Sequence, residues 1–405
     1  MTRTRISALA TLAVLATAAP GLASTTPPTV AGWPKTVPAG TVHQGPGGGV
    51  VVVSGGLFGR GEHYPNAATA FRRDGRRLWA HRHPDPACGN CDYGLQAVVL
   101  NPDGTYGPLG VTGDTSWAVD PRGREVRSCT GVVIDADGTC ISVTGRASPV
   151  LPPGPLPAPV FVARDAAGRG LWEVSDPALE VSFSAEAPPI VVRDGAGIAY
   201  TAFFAYEPVG TLETGRLFAL DPASRRLLWQ RTGWYQPLAG LRSGLVAYRD
   251  GGVAGVGPDG TESWWRALPA NEGTEPSAVA VDLLRDRLYV GSAGPTSASV
   301  AAFVGSTGVQ LWRTAPEDRS RLLSVGRSGR VYVSIGAAAR RGMRAARLSD
   351  GTTVWEKRTR LAVRGAAELR NGMVAVSAGG GWRGPLRDRL TLLDPRTPPT
   401  APTTP

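Results

Sequence analysis

Charge is scarce in this 405-residue chain, at 19% Asp, Glu, Lys and Arg, and aromatic side chains make up only 7%. That scarcity excludes a coiled coil and a highly charged disordered chain, and 53 glycines are far too few for a collagen. Long apolar runs are missing too. After Ala19 no stretch reaches the ~18 residues of a bilayer span, so no membrane span is expected. A phosphate loop, a dinucleotide fingerprint and a Gly-x-Ser-x-Gly nucleophile turn are equally absent, and no catalytic residue and no nucleic-acid partner is assigned.

What is present begins with a leader. Met1 to Arg5 is basic, Ile6 to Ala19 is apolar, and Gly21-Leu22-Ala23 is small, the order of a secretory signal cleaved after Ala23. Residues 1–23 are therefore read as a signal peptide, 24–29 as a linker, and the mature chain as secreted or extracytoplasmic. The basic residues are nearly all arginine, Lys35 and Lys357 being the exceptions. Codon bias in a GC-rich genome accounts for the amount of arginine but not for its placement. The formal charge of +10 becomes +8 without Arg3 and Arg5, and residues 319–396 alone hold seventeen Arg or Lys against five Asp or Glu. That segment is net +12, the remainder about −4, and one side of the molecule is expected to be electropositive.

A motif recurs along the rest of the chain: a short apolar strand ending near Asp, a turn with Gly, then an apolar residue and Trp. It ends at Trp79, Trp172, Trp229, Trp265, Trp312 and Trp355, with two imperfect copies around Asp120 and Asp394. The turns lie near 74, 120, 165, 221, 259, 306, 350 and 394, a mean step of about 46 residues that matches the blade period of a propeller. Between them run eight hairpin signals, such as Val42 to Val53 around Gly47-Gly48-Gly49 and Ala366 to Val376 around Asn371-Gly372. Two hairpins per period make four strands. The spacing predicts an all-β, eight-bladed β-propeller of four-stranded antiparallel blades over 30–396, with one Trp per period wedged between sheets. The eighth copy ends before its fourth strand, while Trp33 stands one period before Trp79. Val30 to Val37 is therefore expected to supply the missing outer strand and close the ring, leaving 397–405 as a disordered Pro/Thr-rich tail.

The pattern Ala-x-Asp-x-x-Gly-x-x-Leu-Trp resembles the tryptophan-docking repeat of the PQQ-like, quinoprotein-type β-propellers over nearly the whole mature chain. The resemblance implies two kinds of protein on one ring: periplasmic dehydrogenases carrying PQQ and calcium, and cofactor-free scaffolds similar to the outer-membrane assembly propeller. The dehydrogenases of that family are longer and usually show two adjacent cysteines, which this chain lacks, so no cofactor is assigned and PQQ with calcium stays as the alternative.

Cys88, Cys91, Cys129 and Cys140 in an exported chain are read first as disulfides, three pairings being possible and the local ones, Cys88 with Cys91 and Cys129 with Cys140, preferred. The competing reading is a tetrahedral zinc set of His63, His83, Cys88 and Cys91. Loops on one face carry the variation, and two of them, 336–344 and 379–389, hold Arg340, Arg341, Arg344, Trp382, Arg383, Arg387 and Arg389. Guanidinium forks beside an indole suit carboxylate or phosphate groups. A monomeric binding module for a protein or an anionic cell-envelope polymer is expected.

Overall fold

The computed structural model describes residues 26–38, 40–54, 57–58, 62–63, 67–82, 99–100, 106–112, 115–129, 133–134, 140–144, 160–165, 169–175, 191–206, 212–242, 244–269, 276–293, 298–314, 321–337, 340–379 and 387–396. Among the described residues the strands form eight four-stranded antiparallel sheets, with one additional two-stranded pair, Leu57–Phe58 with Glu62–His63. In chain order the sheets span 41–82, 99–129, 133–175, 191–232, 236–267, 276–313, 321–358 and 362–393. In the second to the seventh, four consecutive strands lie side by side, and in the first the small pair stands in sequence between the second and third strands. The eighth has only three of its own, Ala362–Glu368, Val374–Gly379 and Arg387–Leu393, and takes Lys35–Pro38 as its outer strand.

Alternation along these strands explains the stacking. Strands such as Gly252–Val256 and Val374–Gly379 are buried throughout, because both of their faces meet a neighbouring sheet. Neighbouring sheets touch in series, mostly through their first strands, and Thr41–Gln44 of the first also touches Ala362–Glu368 of the eighth, so the series closes on itself. Among the described residues, apolar clusters fill seven of the eight gaps. Tyr332, Met343, Ala345 and Trp355 of the seventh sheet meet Val363, Val374, Val376 and Leu393 of the eighth, while Leu390 and Leu392, on the eighth sheet's other face, meet Val50, Val52 and Phe71 of the first.

Recurring indoles tie several of the sheets to their successors. Trp79 Nε1 donates to Pro121 O (3.0 Å), Trp229 to Pro258 O (2.6 Å) and Trp312 to Leu348 O (2.9 Å), each acceptor lying at the last turn of the following sheet. The ring lies over a turn glycine: a Cβ on Gly123, at φ 84°, would come within 2.6 Å of the Trp79 ring. Both the left-handed backbone and the close approach require glycine there. Trp172 packs against the cluster that holds Phe218 and Leu220 of the fourth sheet.

In the fifth sheet the expected indole is the wrong one. Trp264, not Trp265, faces Gly255 in the register that Trp79 shares with Ala70, and its Nε1 donates to Gly305 O (2.9 Å). Trp264 is 6% exposed, whereas Trp265 is 39% exposed on the opposite face and donates to Arg249 O. The spacing that decides is four residues from the turn glycine, as in Gly75 to Trp79 and Gly351 to Trp355; counted so, Gly260 leads to Trp264.

Ring closure follows the expected partners with tighter bounds. The paired strand is Lys35–Pro38, in register with Arg387 to Leu390, and Val30 N donates to Leu392 O (2.9 Å). Trp33 takes the place of an outer-strand indole, its Nε1 donating to Arg73 O (2.8 Å) of the first sheet. Part of the segment read as a linker is held rather than loose: Thr29 bridges Leu393, Asp394 N donates to Pro28 O, and Thr26 Oγ1 donates to Glu356 O. Here the two ends of the chain meet where other sheets have a continuous turn. Trp355, which faces this seam, is buried with no hydrogen-bond partner for Nε1 among the described residues. The leader 1–23 and the tail 397–405 lie outside the described residues.

Candidate functional site

Antiparallel order divides the connections between two rims. The turns after the first and third strands leave one rim, and those described are tight, for example Arg72 to Arg76 and Gly257 to Thr261. Connections after the second strand, and those leading to the next sheet, leave the other. These include the longest in the chain, between Arg82 and Val99, Thr144 and Val160, and Ser175 and Val191.

The tight rim is a network of Asp and Tyr. Asp120, Asp259 and Asp350 accept from backbone N–H groups within their own turns. Burial alone would raise the Asp120 carboxyl, but bonds from Arg124 and Arg122 outweigh it and hold the group low. Tyr200 OH donates to buried Asp194 (2.8 Å), and Tyr332 OH to Glu368 (2.6 Å), which also accepts from Ser328 of the preceding sheet. Burial first, and those carboxylates second, push both phenols well above the usual range. A shallow depression of about 680 Å³, lined by Val30, Pro46, Gly47, Arg73 and Leu78, opens on this rim beside the closing seam. It holds no buried titratable group.

Arg340, Arg341 and Arg344 lie on the strand Arg340–Arg347, and Arg387 and Arg389 on Arg387–Leu393, so these five stand on strands rather than on the expected loops, while 380–386 lie outside the described residues. Trp382 and Arg383 lie outside the described residues. Strand alternation also splits the expected surface. Arg341 shares a face with Met343 and Ala345, toward the eighth sheet; Arg344 faces the other way and pairs with Glu356 at 3.6 Å. Arg389, on the face with Ala378 and Leu393, looks back toward the seventh sheet.

Two polar clusters escaped the sequence reading. Tyr235 OH donates to Glu262 (2.7 Å) and accepts from Arg231 and Arg249, whose guanidiniums both lie 5.3 Å from the phenol ring centre. Burial and then Glu262 raise this phenol as well. In the eighth sheet Asp388, 1% exposed, accepts from Ser377 and lies 3.7 Å from Arg364. Only folding brings these distant residues together, and no local spacing announces them.

Neither the zinc set nor the disulfides come into view: His83, Cys88 and Cys91 lie outside the described residues, as do the side chains of His63, Cys129 and Cys140. Cys129 ends one strand and Cys140 begins another, in adjacent sheets whose edges touch. Among the described residues no three His, Cys, Asp or Glu side chains form a metal-binding group, and no helix is long and apolar enough to cross a membrane. His43 bonds Thr41, and His81 bonds Glu125 at 2.6 Å.

No family model and no curated protein matches the sequence. Solved structures do match the fold. BamB from Moraxella catarrhalis aligns over 91% of this chain and 100% of its own, at 15% identity and a TM-score of 0.50. The quinohemoprotein alcohol dehydrogenase ADHIIG from Pseudomonas putida HK5 aligns over 88% of this chain and 67% of its own, at 11% identity and a TM-score of 0.39. Streptogramin B lyase aligns over 89% of this chain and 97% of its own, at 12% identity and 0.42. With its docked indoles, its four-stranded sheets and its likeness to BamB over the full length of that protein, the chain is in fold a β-propeller.

Proposed function

We propose that this propeller, over 30–396, is an exported, non-catalytic scaffold that holds a protein or an anionic cell-envelope polymer on its long-connector rim. The observation that carries the reading is the division of the rims. One is consumed by short turns whose Asp and Tyr side chains bond to their own sheet or the next, while the longest connections leave the other. Binding residues on rigid scaffolds are carried by such connections. Leader cleavage after Ala23 would deliver the chain outside the membrane, where a basic segment over 319–396 meets anionic polymers. The likeness to BamB supports the fold that such a scaffold would use.

Two measurements test this. Immobilised mature protein, incubated with the envelope fraction, is expected to retain material that elutes between ~50 and 300 mM salt; retention indifferent to salt argues against an anionic partner. Adding PQQ and calcium is expected to give no cofactor spectrum and no rise in melting temperature, and a shift of several degrees would favour a quinone-dependent enzyme.

A further inference from the structure

The segment 319–396 carries its net +12 in an uneven way that the structure explains. All five of its carboxylates are directed elsewhere. Asp350, Glu368 and Asp394 sit at the tight-turn rim, bonded to Thr352, Ser328 and Arg396. Glu356 is on the sixth-sheet side of its strand, with Arg344 and Arg358, and buried Asp388 faces the first sheet with Ser377. Among the described residues, the gap between the seventh and eighth sheets at the long-connector rim is thereby left to cations.

Register places four of them there, and a fifth lies beside the gap. Arg321 opposite Ser334, Arg341, and Lys357 opposite Met343 share the face of the seventh sheet that packs on the eighth. Arg389 projects from the facing wall, and Arg360 lies on the connection between the two sheets. All five are exposed or half-exposed, and none forms an ion pair among the described residues. Arg321 is on the innermost strand and Lys357 on the outermost, so the row runs radially across three strand spacings, about 14 Å. Like charges gathered so closely repel, and an anion lying among them relieves that cost.

We infer that this inter-sheet cleft is the seat of a linear phosphodiester polymer of the envelope, a polyol phosphate chain lying radially from channel to circumference. Cations reach it from two walls, with Arg360 on the connection between them. The two non-bridging oxygens of a phosphodiester diverge from a tetrahedral centre and can meet cations on opposite walls, whereas a carboxylate offers one planar edge. A span of about 14 Å takes in two or three successive charges of a chain whose phosphates recur every ~6 Å. The inference rests on the anionic-polymer reading above and names its site and chemistry.

The test is calorimetric titration of the mature chain with poly(glycerol phosphate) of about ten units at several salt concentrations, with poly-glutamate of equal charge as comparator. The triple variant Arg341→Gln, Lys357→Gln, Arg389→Gln is expected to bind at least about tenfold more weakly, with a log K against log salt slope shallower by about two. A control triple on the opposite rim, Arg72→Gln, Arg73→Gln, Arg76→Gln, is expected to stay within about twofold of the parent. The single variant Arg389→Gln, at an exposed position, guards against misfolding of the triple and is expected to weaken binding about threefold. Equal losses in both triples, or poly-glutamate binding as tightly as the phosphate polymer, overturn the cleft while leaving an anion-binding scaffold. No binding of either polymer by the parent chain overturns both.

Discussion

An indole at the end of an outer strand does two things here: it fills the space over the next sheet's turn glycine, and it spends its one donor on a carbonyl of that turn. Trp264 meets both conditions, with Gly308 beneath the ring and Gly305 O as acceptor, while Trp265 packs on the surface. Truncating Trp264 to alanine is therefore expected to cost ~3 to 5 kcal/mol by denaturant unfolding, against less than ~1 kcal/mol for Trp265→Ala. Equal effects would return the wedge to Trp265. Residues of this kind also explain why the tight-turn rim offers little to a ligand: its carboxylates are already engaged by N–H and O–H groups of the fold.

At the scale of the element, the strand Lys35–Pro38 decides whether the ring is closed. Val37, 2% exposed, faces the cluster shared by the eighth and first sheets, and Thr36 on the other face is exposed. Placing a carboxylate at the first position puts an unpaired charge into that cluster, whereas at the second it can reach solvent. Val37→Asp is expected to destabilise by more than ~3 kcal/mol and Thr36→Asp by less than ~1 kcal/mol, read from urea midpoints. A Val37→Asp chain as stable as the parent would mean that the closing strand contributes nothing to the ring.

Across the whole molecule, five tyrosines hold their protons more tightly than a free phenol. Burial raises Tyr106 and Tyr289 to about 12, and Tyr200, Tyr235 and Tyr332 are raised too, each by burial and then by a carboxylate that accepts from the hydroxyl. The sign follows from linkage. A group whose value is higher folded than unfolded contributes stability that is complete below the unfolded value near ~10 and is lost as pH rises toward the folded one. The propeller is thus expected to lose stability between pH ~10 and 12, with five of its nine tyrosines ionising at 295 nm only as it unfolds. Smooth ionisation of all nine with the circular dichroism intact would show those hydroxyls to be open to water.

Repetition made the architecture legible from the chain alone. A strand, a turn and an indole returning every 46 residues or so specify four-stranded sheets whichever copy is read, because each copy meets the same neighbours. The closing strand was legible for the same reason, since Trp33 stands one period ahead of Trp79. Where two indoles adjoined, period alone was one residue too coarse, and the bulge before Trp264 settled which faced inward. The binding surface was legible only as a composition. Arg341 and Arg344 are near neighbours in sequence, yet pleating sends them to opposite gaps, and it joins Arg341 instead to Lys357, Arg389 and Arg321. Sequence determines how much charge a segment carries; which faces share that charge depends on strand alternation and on which sheets stack, and these exist only once the ring has closed.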